Sequence, residues 1–384
     1  MGQGPILVLA ALVLLLFGIL LLLRFGIFER RTEAADGADA ATPAERAANR
    51  PAGELVLKLD ALGLDARQLW VLAPDRLLFA DGQQVKLLTP AGRVVAEAEL
   101  SLPEVDVTLV GDVALVTGPR AYRYAVWDRS GERYQGLSEE PIVGYSLSTQ
   151  GRIALLLDKA DSIGLLRVLD HDGGHLFDWT ARDVLQSGHV IQSVFDSSDR
   201  YLDVLLLNTS ASEAQALVSR FSLADQDLGE RLLRFEPQGA GVLVWAGRAP
   251  DGGLLCASRT ELLLERENQL QPIWQQPAFD AFVASGDWVH AVARSSVGGR
   301  RSYYRVALDG RATEGIAVPE QAKDLAAAGS RAIMTDGSAL LEFSRDGDSF
   351  RRHEVYSEIV SSRLLADGSA YVMTGDELRR LELD

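Results

Sequence analysis

Cysteine is almost absent from this chain of 384 residues: Cys256 is the only one. A single thiol excludes an intrachain disulfide and any zinc site built on several cysteines. It sits in the apolar run Leu254-Leu255-Cys256-Ala257, which reads as a buried, inert position. Histidine is scarce, with five copies, and basic residues are outnumbered 38 to 54, for a formal net charge of -16. Such an acidic excess repels phosphate backbones and argues against nucleic-acid binding. Catalytic signatures are missing too. There is no G-x-S-x-G elbow, no phosphate-binding glycine loop ahead of a helix and no H-E-x-x-H. At 47% hydrophobic and 24% charged, the chain nevertheless has the means to bury a large core.

What is present is a repeat. From Leu69 onward, a unit of about forty residues recurs, a period typical of strand-built propeller blades. Its clearest copies end a short apolar strand in a polar turn: residues 125–131 read AVWDRSG, 167–173 RVLDHDG, 306–310 VALDG and 343–347 FSRDG. Asp-Gly pairs supply the positive φ angles that tight hairpins demand, so these are mechanistic turn signals. The spacing predicts blades over about residues 69–100, 105–143, 144–185, 191–236, 241–277, 279–319 and 322–358, with an incomplete one from 359. Residues 54–59 (ELVLKL) alternate with period two and can complete that last blade beside 378–383 (LRRLEL). The expectation is an all-β propeller of eight blades, with seven as the alternative. Short helical turns are expected only at residues 179–185 and 319–325.

Residues 6–23 read ILVLAALVLLLFGILLLL without a charge. As a helix that stretch spans about 27 Å, close to the roughly 30 Å of a hydrocarbon core. A cleaved signal peptide is the alternative, but no basic side chain precedes the run and no Ala-x-Ala site follows it. The reading is one retained transmembrane helix within an anchor at 1–31, an Ala-rich flexible linker at 32–53 and a propeller at 54–384. Arg24, Arg30 and Arg31 after the span would by the positive-inside rule hold the propeller in the cytoplasm. The stalk-like linker points to the extracytoplasmic side, which is favoured.

Trp127-Asp128 stands where WD40 repeats place their Trp-Asp dipeptide, and Asp170, Asp309 and Asp346 hold comparable positions without the tryptophan. The Gly-His pair at Gly188-His189 stands outside the expected register, and a quinoprotein tryptophan-docking pattern is absent. On these residues the chain resembles single-span, membrane-anchored bacterial propellers of the WD40-like and quinoprotein-like superfamilies over 54–384. The resemblance implies a fold; cofactor binding does not carry over with it.

Candidate chemistry is thin. His171 and His175 have zinc-like spacing but fall in a Gly- and Asp-rich hairpin, where solvated turn residues are the better reading. No bidentate Glu completes a calcium loop there. His290 in a strand reads as a packed histidine. Glu139-Glu140 and Asp225 through Asp227 are scattered turn acids, and Asn208-Thr209-Ser210 matches a glycan acceptor. Trp70, Trp127, Trp179, Trp245, Trp274 and Trp288 recur about once per blade in part of the chain, as blade core or as a surface patch. No catalytic, cofactor or metal residue is assigned. The expected function is a membrane-tethered, non-enzymatic protein-binding scaffold in a bacterial envelope. The alternative is a propeller enzyme or small-ligand sensor acting on glycans or peptides.

Overall fold

Two-sided burial explains the architecture. Val113–Thr117 is a strand of five buried residues rather than an alternating one. Val113 and Leu115 pack into one apolar cluster with Ile142 and Ile153, while Ala114 and Val116 pack into another with Leu78 and Leu87. A strand buried on both faces needs a sheet on each side of its own.

The computed structural model describes residues 53–182, 188–209, 214–235, 237, 242–249, 251–295 and 299–383. The predicted span at 6–23 and nearly all of the predicted linker at 32–53 lie outside these residues. Among the described residues, no helix is long and apolar enough to cross a membrane. Their strands form eight four-stranded antiparallel sheets, so eight blades, not seven, is the observed count. Seven are drawn from consecutive strands at 69–99, 106–137, 142–181, 189–235, 243–275, 278–317 and 323–354. The eighth combines Ile359–Leu364, Ser369–Thr374 and Glu377–Glu382 with the N-terminal strand Glu54–Lys58 as its outermost member. The first strand of a blade lies beside the first strand of the next along blades 2–5 and 6–8, so these strands line the axis.

Eight apolar clusters occupy the eight seams between blades. The seam between blades 8 and 1 joins Leu57, Tyr371, Met373 and Leu378 to Leu69 and Leu77. Closure is antiparallel pairing of Leu55 with Arg379 and Leu57 with Leu378. Gly53 turns the chain into this strand at φ +87°, where a Cβ would stand 2.6 Å from the Arg380 carbonyl. Only glycine accepts that conformation and approach.

Two details differ from the sequence reading. Trp179 belongs to the strand His175–Ala181, paired with Leu166, because its aromatic ring packs into the seam between blades 3 and 4. The expected turn at 319–325 is a single hydrogen-bonded turn, Ala322 N donating to Pro319 O at 3.1 Å, after which Lys323–Ala328 is a strand. Two short 3-10 helices, Asp60–Leu62 and Ala66–Gln68, carry the chain from the closing strand to blade 1.

Leu378 is fully buried in the closing seam, whereas Leu55 on the paired strand is 39% exposed. Leu378→Ala is expected to cost about 2–5 kcal/mol, and Leu55→Ala within about 0.5 kcal/mol. Denaturant unfolding of the two variants checks this; equal costs would mean that the terminal strand does not lock the ring.

Candidate functional site

The ring has two unlike faces. Each first strand starts at what we call the upper face, so first-to-second and third-to-fourth turns fall on the lower face. The recurring aspartates work there as backbone caps. Asp128 accepts from the Ser130 N–H at 2.7 Å, Asp170 from Asp172 at 2.9 Å, Asp251 from Gly253 at 3.0 Å and Asp309 from Arg311 at 3.0 Å. At 343–347 the capping group is Ser344 rather than Asp346, its Oγ accepting from Asp348 N at 3.2 Å. The Asp of Trp127-Asp128 is thus a turn device, and Trp127 is fully buried between blades 1 and 2.

A cleft of about 450 Å³ opens on the lower face between blades 4 and 5, lined by Asp196, Arg200, Arg220, Arg248 and Glu265 among others. Its floor is an ion network. Arg220 grips Asp203 at 2.7 and 2.8 Å and Glu265 at 2.7 and 2.6 Å, and Arg248 reaches Asp203 at 2.8 Å. Burial pushes the Glu265 carboxyl up, but hydrogen bonds from Arg220 and the Leu254 N–H outweigh it and hold it below the usual range. Asp196 is also held low, burial being overcome by hydrogen bonds from Ser198 and Tyr201. The network straps blade 4 to blade 5. Arg220→Met would leave two buried carboxylates short of their partner, at a cost of about 3–5 kcal/mol. Denaturant unfolding reads this loss, and an unchanged midpoint would refute the strap.

The upper face exposes apolar side chains on blades 3 to 5. In the first strands of these blades the register slips at the second or third residue, leaving Val143, Ile191 and Val244 as bulge residues out of the ladder. All three are exposed, Val244 to 58%. Tyr122, Val242 and Leu137, exposed to 66%, extend the arc on the same face. Blade 6 breaks it, because its bulge residue is Asp280, ion-paired to Arg301 at 2.7 Å. Residue-by-residue reading missed these side chains. An apolar residue in a strand looks like core until the bulge turns it outward.

The sequence candidates are not brought together. His171 lies 3.3 Å from Asp172 and His175 3.1 Å from Asp178, both exposed. No group of three or more His, Cys, Asp or Glu among the described residues could hold a metal. Glu139 and Asp225 are exposed, and Asp227 accepts from Ser222 Oγ at 2.8 Å. Asn208 is a buried strand residue, poorly placed to take a glycan, and Ser210 lies outside the described residues. Cys256 is fully buried, and burial pushes its thiol far up. Trp70, Trp179, Trp245 and Trp274 pack into seams, while Trp288 carries the guanidinium of Arg305 on its ring.

His290 is fully buried and bridges two blades. Its Nε2 lies 2.9 Å from Gly329 O and must donate, so its Nδ1 accepts from the Tyr303 hydroxyl at 2.7 Å. Burial, with a contribution from Arg305, lowers its pKa from 6.5 to about 4. Folding therefore favours the neutral ring, and this contribution is intact above pH 6.5 and lost on acidification toward 4. The expected loss by that point is about 3 kcal/mol. Urea midpoints across this window should fall more steeply for the wild type than for His290→Gln; parallel profiles would disprove it.

Eight sheets around an axis, closed by strand exchange between the termini, define an eight-bladed β-propeller. No protein-family model and no curated protein matches the sequence. Solved structures similar to it include BamB from Moraxella catarrhalis, at TM-score 0.53 and 11% identity over 85% of this chain and 95% of that one. Apo AztD from Citrobacter koseri matches at TM-score 0.50 and 10% identity over 80% and 89% of the two chains. Sqt1 from Chaetomium thermophilum, solved bound to the N-terminus of ribosomal protein L10, matches at TM-score 0.50 and 12% identity over 81% and 94%. At identities this low the likeness shows the fold alone.

Proposed function

We propose that this chain is a membrane-tethered, non-enzymatic propeller of a bacterial envelope that docks a protein partner on its upper face. The observation that carries the reading is the exposed apolar arc of Val143, Ile191 and Val244 at matching bulges of three successive blades. Apolar side chains exposed together on one face mark an interaction site. Sqt1, a propeller of similar fold, holds a protein segment. The tether rests on the uncharged run at 6–23. The ring takes up the chain at Gly53 on the lower face, opposite the arc. The enzyme alternative would draw on the lower cleft. There Asp196 and Glu265 are held ionised by their partners, which disqualifies either as a general acid.

One experiment tests docking and placement together. Full-length chains with Cys256→Ala and either Val244→Cys or Asp309→Cys are treated in intact cells with a membrane-impermeant thiol-reactive crosslinker. Both sites should label, and only Val244→Cys should yield a protein adduct, lost again on adding Ile191→Asp. Labelling without an adduct would defeat the docking reading, and absence of labelling at both sites would defeat the extracytoplasmic one.

A further inference from the structure

Among the described residues one arginine is buried, Arg305 at 8% exposure, and its Nε has no hydrogen-bond partner. No carboxylate pairs with it. Other arginines withdrawn from solvent are matched: Arg220 with Asp203 and Glu265, Arg301 with Asp280, Arg379 with Glu377. Arg363 rests on the carbonyls of Val71 and Gly111. In a chain of net charge -16 a counterion would be easy to supply, yet here none is.

The surroundings hold Arg305 in place without neutralising it. Its guanidinium carbon lies 4.2 Å from the Trp288 ring centroid, a cation–π contact. Its backbone N–H donates to Thr313 Oγ1 at 3.0 Å. His290 is its cross-strand partner, and Trp288 and Tyr303 lie two residues away on the same side of the sheet. That side faces blade 7, where Tyr303 stacks on Phe343 with ring centroids 3.8 Å apart. Both neighbours that could titrate are occupied with each other, so neither offers a negative charge. A buried donor left unpaired costs stability, and an apolar replacement removes that cost. A guanidinium with its Nε unpaired, pre-oriented on an aromatic platform and without a carboxylate, has the elements of an anion site.

We propose that Arg305, held over Trp288 at the lower-face seam between blades 6 and 7, anchors a binding site for a carboxylate ligand. The planar guanidinium matches a carboxylate through paired N–H donors. Asp287, exposed in the turn that packs against Gly329 at this seam, disfavours a doubly charged phosphate and tolerates a single charge better. The carboxylate is either that of a small acid or the free end of a peptide; the recognition chemistry is the same.

The test uses the full-length chain in detergent, following tryptophan fluorescence and melting temperature at constant ionic strength. The probes are propionate, an acetylated tripeptide with a free C-terminus, its amide, and inorganic phosphate. Saturable binding of propionate identifies a small acid as sufficient, and binding of the peptide acid but not propionate identifies a peptide end. Arg305→Met should abolish the response and melt no lower than wild type without ligand. Arg305→Lys keeps the charge without the fork and should bind about tenfold more weakly. If Met is not tolerated, the Lys variant decides. No response to either carboxylate, equal binding of the amide, tighter binding of phosphate, or wild-type affinity in Arg305→Lys would each overturn the site.

Discussion

Every sheet in this protein is apolar on both faces, and that constraint organises the rest. Alternate residues of one strand, such as Val113 and Ala114, belong to different seams. A sheet of this kind cannot stand at the end of a row, because one apolar face would meet water. A ring is the arrangement in which no blade is last, and it holds only while the strand Glu54–Lys58 pairs with Glu377–Glu382. The contact joining Leu57 to Leu378 spans almost the whole ring, so closure is among the most non-local events in folding.

Polar groups fill the positions that this packing leaves over. On the lower face aspartates are spent on turn N–H groups and on arginines, which is why a strongly acidic chain shows so few free carboxylates near its cleft. The chain of ion pairs Glu265–Arg220–Asp203–Arg248 binds two blades together. Arg305 is the exception, a cation stacked on an indole with no anion of its own. The upper face differs because its bulges rotate apolar residues outward on blades 3 to 5, whereas blade 6 uses Asp280 at the same point.

Much of the fold was legible in the residues. The Asp-Gly and Asp-Arg-Ser-Gly turns mark hairpins because their side chains cap the backbone locally, within a few residues of themselves. The spacing of those turns counts blades, and the alternating segment at 54–59 points to terminal closure. The candidate site was much less legible. Val143, Ile191 and Val244 sit in ordinary apolar strands, and nothing nearby in the chain announces a bulge. Trp288 stood out only as one of six tryptophans, and Arg305 not at all.

The difference has a physical cause. Turn type, strand length and repeat period are set by interactions between near neighbours, so the order of amino acids is enough to determine them here. Whether an apolar residue faces a seam or solvent, and whether a buried charge meets its partner, depends on the register between strands and on what the adjacent blade presents. Those are outcomes of packing between segments distant in the chain. Only the assembled ring decided that Trp179 lies in a strand, that Asn208 is buried, and that Arg305 lies over Trp288 without a carboxylate.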